Sequence, residues 1–321
     1  MVYLVFAQDG VMKKSSLALL VTASVFATGS ALACASCGCS LSSDWGTQGV
    51  SSGEGLRFDL RYDYLNQNQM RSGTRTAVST GEQELYTKNN YLAATVDYNW
   101  NEDWGVNVQL PYIDRSHATN GDPTAPALST SKTQSLGDVK VIGRYSGFGD
   151  GTVGLQFGLK LPTGSHTQNF SAGDAVGTPL DRGLQPGTGT TDAVLGVYKF
   201  GSVSQDWDYF TQALVQMPMN ARDDYRPGNS LNLNVGMRYM GFETFTPQLQ
   251  INARVSAKDS GAQAAPNDSG GKTVYLSPGV TVPVNERVKA YGFIQVPIYQ
   301  NLNGFQLAPK FTLSVGTRID F

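Results

Sequence analysis

Strict two-residue alternation recurs along almost the whole chain. Leu56-Arg57-Phe58-Asp59-Leu60-Arg61-Tyr62-Asp63-Tyr64 switches between apolar and charged side chains at every step. A helix repeats every 3.6 residues and a strand every two, so this pattern gives one oily and one polar face only as a strand. Trp104, Val106, Val108, Leu110 and Tyr112 share a face, with Gly105, Asn107 and Gln109 opposite. Val153 to Leu161, Leu231 to Tyr239 and Phe311 to the terminal Phe321 repeat the arrangement. Twelve such segments are predicted: 56–64, 90–100, 104–112, 138–146, 152–161, 192–200, 207–217, 230–239, 245–256, 272–284, 287–299 and 309–321. The composition agrees, with 36 Gly, 33 aromatic residues (15 Tyr, 14 Phe, 4 Trp) and only 16 % charged residues. Segment 192–200 can be phased either way, and Pro278 inside 272–284 removes a ladder donor, which predicts a bulge or a register irregularity there.

The connections sort by length. Polar stretches 65–89, 113–137, 162–191, 218–229, 257–271 and 300–308 follow the odd segments, and short turns such as Asn101-Glu102-Asp103 and Asn285-Glu286 follow the even ones. A secreted β-sandwich would also alternate, but it has no reason to sort its loops by length. A transmembrane barrel does, with long outer loops, short periplasmic turns and an even number of strands. In hydrocarbon each unpaired backbone group costs several kcal/mol, so a spanning sheet must close and abolish its edges. Crossing takes about 9–11 residues per strand. The expected fold is therefore all-β: an antiparallel up-and-down barrel of about 12 strands over 55–321, both termini periplasmic, in the outer membrane of a Gram-negative bacterium. Tyr62, Tyr64, Trp100, Trp104, Tyr112, Tyr145, Trp207 and Tyr239 lie near segment ends, as aromatic girdles require. No run approaches the ~20 apolar residues of a spanning helix. A net charge of −2 argues against nucleic-acid binding.

The N-terminus has the anatomy of a secretory signal: Met12-Lys13-Lys14, an apolar run from Leu17 to Ala27, and Ala31-Leu32-Ala33 as the cleavage site. Residues 1–33 are expected to be removed, with Met12 the natural start. Segment 34–54 then opens the mature chain in the periplasm with Cys34, Cys37 and Cys39. Three thiols so close can form a disulfide with one spare, ligate a soft metal ion such as Cu(I) or Zn(II), or present Cys34 for lipid modification. No other cofactor is expected.

Ser135-Leu136-Gly137-Asp138-Val139, Lys160-Leu161-Pro162-Thr163-Gly164, Leu184-Gln185-Pro186-Gly187-Thr188-Gly189 and Tyr225-Arg226-Pro227-Gly228 lie at strand-to-loop junctions. In order, they resemble the signatures of the outer-membrane family named for the meta-pathway of phenol degradation, over about 135–321. That resemblance implies a transporter-like barrel and uptake of small hydrophobic or aromatic compounds.

With apolar residues turned to lipid, the lumen receives Arg57, Asp59, Arg61, Asp63, Lys140, Arg144, Lys160, Arg238, Arg254, Lys310 and Arg318 among others. Basic groups outnumber acidic ones there, which favours anions if the bore is open. Interior ion pairing that plugs the barrel is the competing reading. The Gly-rich stretch 162–191 is the best candidate to fold into the bore, an outer loop being its alternative. The expected function is a channel passing small aromatic or anionic solutes, with outer-membrane lipid around it. One alternative is a structural barrel whose cysteine segment docks a soft metal or a periplasmic redox partner. Another is a lipid hydrolase, but the two histidines, His117 and His166, fall in expected loops, and nothing sets a nucleophile against an oriented base. Intact-mass measurement on the mature protein is expected to give a chain beginning at Cys34; retention of residues 1–33 would contradict the leader assignment.

Overall fold

A computed structural model describes residues 54–78, 84–120, 128–149 and 151–321. The leader and the three cysteines lie outside these residues. The chain forms β1 (Gly55–Gly73), β2 (Arg75–Thr76), β3 (Glu84–Asn99), β4 (Trp104–Thr119), β5 (Ser129–Leu136), β6 (Lys140–Phe148) and β7 (Val153–Lys160). It continues with β8 (Asp192–Ser202), β9 (Trp207–Pro218), β10 (Ser230–Tyr239), β11 (Thr246–Ser256), β12 (Gly271–Pro283) and β13 (Val288–Asp320). Eleven of these strands form one closed antiparallel wall; β2 and β5 are short additions to β1 and β4.

Closure is made by β13, which pairs with β12 through its first part and with β1 through its second, from Leu302↔Gly73 to Asp320↔Arg57. Both pairings are antiparallel. Eleven straight alternating strands would leave the first and last parallel, so β13 must reverse. It does so at Gly304, whose φ of 56° suits glycine. The amide of Asp320 donates to the carbonyl of Arg287 at 2.8 Å, which places the two ends of this long hairpin side by side. Counted by crossings the wall has twelve, the even number that an up-and-down barrel requires. The short turns and the ends of β1 and β13 share one end of the barrel, where Phe321 N donates to Leu56 O at 2.9 Å.

Burial is inverted relative to a water-soluble core. Leu60, Leu92, Leu110, Leu233, Val235 and Met237 are exposed, whereas Asp59, Asp63, Asp97, Gln212, Asn234, Gln250 and Asn252 are buried. The outward rows run Leu56–Tyr98–Val106, Phe58–Val96–Val108, Leu60–Ala94–Leu110 and Tyr62–Leu92–Tyr112, and then turn polar at Tyr64–Asn90–Asp114. At the short-turn end, exposed rings form contiguous chains. Trp104 lies 6.4 Å from Trp100 and 4.8 Å from Tyr145, and Tyr239 lies 5.1 Å from both Trp207 and Phe242.

Several connections expected as loops are partly strand. β1 runs on to Gly73, β3 begins at Glu84, β4 reaches Thr119, β5 lies within 113–137, and 300–308 is the tip of the β13 hairpin. The physical reason is visible in those outward rows. Beyond Tyr64 the ladder continues but the lipid does not, so the apolar alternation stops while the hydrogen bonds persist. Segment 192–200 resolves with Asp192, Val194 and Tyr198 inward. Pro278 stays in β12 opposite Leu249, and the β12–β13 register shifts nearby, between Val274 and Tyr275.

The inner wall also carries aromatic rings, each laid over a glycine on the next strand. Tyr198 faces Gly154, Phe210 faces Gly236 and Phe293 faces Gly279. A Cβ on Gly154 would sit 2.2 Å from the Tyr198 ring. Gly154→Val is expected to cost about 1–3 kcal/mol and to lower the temperature at which the folded, fast-migrating gel band disappears. An unchanged midpoint would contradict this packing.

Candidate functional site

Along most of the wall the inward side chains satisfy one another. Gln212 donates to Gln156 (2.8 Å), Asn234 to Gln212 (2.8 Å), Asn252 to Asn234 (2.9 Å) and Ser277 to Asn252 (2.6 Å). This one-directional belt crosses β7 to β12, with Gly196 of β8 leaving the room for Gln156. Nearer the short-turn end, Arg144 is bidentate on Asp97 at 2.9 and 3.1 Å, and Arg57 reaches Asp97 at 3.5 Å. Arg238 binds Asp208 at 2.8 Å, and Arg61 binds Asp63 at 2.9 Å. Asp59 accepts the Tyr291 hydroxyl at 2.9 Å. Arg254 meets Ser256 and Asn232 at 3.0 and 3.4 Å. Arg57, Arg238 and Arg318 border a chamber of about 650 Å³ at the short-turn mouth. Lys310 is exposed, in a register shift of the β13–β1 ladder between Leu65 and Gln67. Among the predicted lumen residues, Arg57, Arg61, Arg144, Lys160 and Arg238 are held in ion pairs.

The segment between β7 and β8 folds inward at the long-loop end. Its 3-10 turn, Arg182–Leu184, presents the Gly183 carbonyl to the buried guanidinium of Arg115 on β4, at 3.3 Å. Leu180, Leu184 and Phe170 form a small apolar cluster within it. The anchor is Asp138. Its carboxylate accepts Gly164 N and Thr188 N at 3.0 Å, Thr188 Oγ1 at 2.9 Å and Lys160 Nζ at 2.9 Å; Lys160 also reaches Asp192 at 3.3 Å. Three junction motifs that are distant in sequence therefore converge on one carboxylate. The packing requires glycine: a Cβ on Gly187 would lie 2.4 Å from the Gly164 carbonyl oxygen. The fourth motif makes a matching junction, in which Asp259 accepts Gly228 N at 2.8 Å and the Tyr225 hydroxyl at 3.0 Å.

Under this segment lies a cavity of about 260 Å³. The ladder sets its wall in rows across β1, β3 and β4: Arg61–Ala93–Pro111, Asp63–Tyr91–Ile113 and then Leu65–Asn89–Arg115. Lys140, Arg182, Pro186 and Tyr225 complete the lining together with Asp138. Arg182 lies over the Tyr225 ring, 5.0 Å from its centre, and donates to the Thr188 carbonyl at 2.9 Å. Arg115, Arg182, Tyr91 and Ile113 were missed by sequence reasoning. The signal was present: the alternation that turns Tyr112 outward turns Ile113 and Arg115 inward, provided the strand is carried past 112.

His117 is inside the wall rather than in a loop. Its Nδ1 is 2.9 Å from Thr87 Oγ1 and its Nε2 2.9 Å from Glu84 Oε2, with all three residues buried. Ser116, its sequence neighbour, lies on the opposite face of β4. The described residues include no group of three or more His, Cys, Asp or Glu side chains able to hold a metal ion.

No family model matches the chain, and neither does any curated protein. The likeness of the junction motifs to the phenol meta-pathway family therefore stands on those motifs alone. Solved structures are similar in fold. An outer membrane channel from Pseudomonas putida F1 superposes with a TM-score of 0.64 at 12 % identity, covering 84 % of this chain and 97 % of that one. CymD, a monoaromatic hydrocarbon channel, gives 0.45 at 9 % identity, covering 86 % and 90 %. The toluene transporter TbuX of Ralstonia pickettii gives 0.44 at 10 %, covering 84 % and 90 %. Asp138→Ala is expected to cost about 1–3 kcal/mol, since it leaves the Gly164 and Thr188 amides without their acceptor and Lys160 with Asp192 as its one carboxylate, and to make 162–191 sensitive to protease in the folded barrel. Equal resistance would contradict the anchoring role. Closed wall, inverted burial and structural likeness together identify a β-barrel of the bacterial outer membrane.

Proposed function

We propose that this barrel is a channel for small solutes with a preference for anions, its short-turn end and termini facing the periplasm. The observation that carries the reading is the charge of the cavity beneath the inward-folded segment, where the lining cations Arg61, Arg115, Lys140 and Arg182 outnumber the lining carboxylates Asp63 and Asp138, with Asp223 reaching Arg182 at 3.6 Å from outside the lining. A polar inner wall gives a solute a wet path, and a cluster of cations at its narrow part lowers the barrier for negative charge. The junction motifs add a second support, since the family they resemble is transporter-like and implies small hydrophobic or aromatic cargo. Catalysis is a poorer reading, because Thr87, His117 and Glu84 line neither the short-turn chamber nor the cavity beneath the inward segment. In planar lipid bilayers under a KCl gradient, the reversal potential is expected to take the sign of chloride preference. Cation preference, or no current at all, would contradict the proposal.

A further inference from the structure

We infer that the cavity beneath the 182–188 segment is a binding site for a small organic carboxylate with a single ring or a short apolar body. The inference rests on the channel reading and names the solute class.

Three observations carry it. First, Arg115 is buried, yet its guanidinium donates only to neutral acceptors: Asn89 Oδ1, the Tyr91 hydroxyl at 2.7 Å and the Gly183 carbonyl at 3.3 Å. Among the described residues no carboxylate lies within 4.0 Å of it. A buried cation without a counter-charge is unfavourable unless an anion joins it. Second, Arg182 lines the same cavity; its Nη groups reach Asp223 at 3.6 Å and the Thr188 carbonyl at 2.9 Å, but its buried Nε has no hydrogen-bond partner. The two carboxylates in the lining are engaged by other cations, Asp63 by Arg61 and Asp138 by Lys160. Third, the facing wall is apolar. Pro111, Ile113 and Ala93 point inward, in a barrel whose neighbouring inward rows are polar, and Pro186 closes the other side. A local break in an otherwise consistent pattern marks a site.

The volume limits the occupant. At about 260 Å³ the space falls below the ~300 Å³ at which sites for drug-sized ligands begin. One ring or a few methylenes fit, with the carboxylate toward the arginines. A neutral aromatic would leave the guanidinium uncompensated, and an inorganic anion would leave the apolar wall unused.

Isothermal titration of the full-length protein in detergent with benzoate, benzyl alcohol and inorganic phosphate tests the inference. Benzoate is expected to bind at least about tenfold more tightly than either of the others: a charge-assisted hydrogen bond separates it from the alcohol, and burial of its ring against Pro111 and Ile113 separates it from phosphate. Arg115→Gln is expected to weaken benzoate by a similar factor. Arg182→Gln, on the inward segment rather than in the wall, should do the same if the first variant fails to fold as judged by gel migration. Equal binding of benzoate and benzyl alcohol, preference for phosphate, or no benzoate binding would overturn the inference. Bilayer current from the same preparation separates the two readings. Anion-selective current without benzoate binding sinks the site and leaves the channel; benzoate binding without current sinks the channel and leaves the site.

Discussion

Every feature of this molecule depends on backbone hydrogen bonding in a solvent that offers none. A sheet edge in hydrocarbon would leave a row of amides and carbonyls unpaired, at several kcal/mol each. The β13 hairpin removes that edge by pairing one arm with β12 and the other with β1. Once the wall is closed, alternation sends half of all side chains to lipid and half inward. The polar half must then find partners among itself, and the amide belt from Gln156 to Ser277 and the Asp97–Arg144 pair are the result.

The interior is not uniform. Toward the short-turn end, cations and carboxylates are matched, which holds neighbouring strands together. Toward the long-loop end, beside the Arg61–Asp63 and Arg182–Asp223 pairs, the Asp138 anchor holds the inward segment through Gly164, Thr188 and Lys160. Beneath that segment the balance tips positive, and Arg115 has only neutral partners. On the proposed reading, stability and selectivity occupy different levels of the same barrel.

Much of this was legible in the sequence, because lipid on one side and water on the other enforce a two-residue period. Segments such as 207–217 and 230–239 lie within a residue of β9 and β10. The sorting of loops by length also pointed to the closed wall. What escaped was whatever lies beyond the lipid. The ends of β1, β3 and β4 carry Asn66, Lys88 and Ser116 outward, so they looked like loops. That same truncation hid Arg115. The junction motifs carry a family resemblance, but nothing in one dimension says that residues 138, 164 and 188 share a single carboxylate.

The central claim is that each strand has one lipid face and one interior face. It is tested most directly by nitroxide side chains placed one at a time at 232, 233, 234, 235 and 237 on β10 in reconstituted bilayers. Labels at 233, 235 and 237 should collide with dissolved oxygen as lipid-exposed sites do, and labels at 232 and 234 should be shielded from it. Uniform accessibility, or a period nearer four than two, would contradict the account.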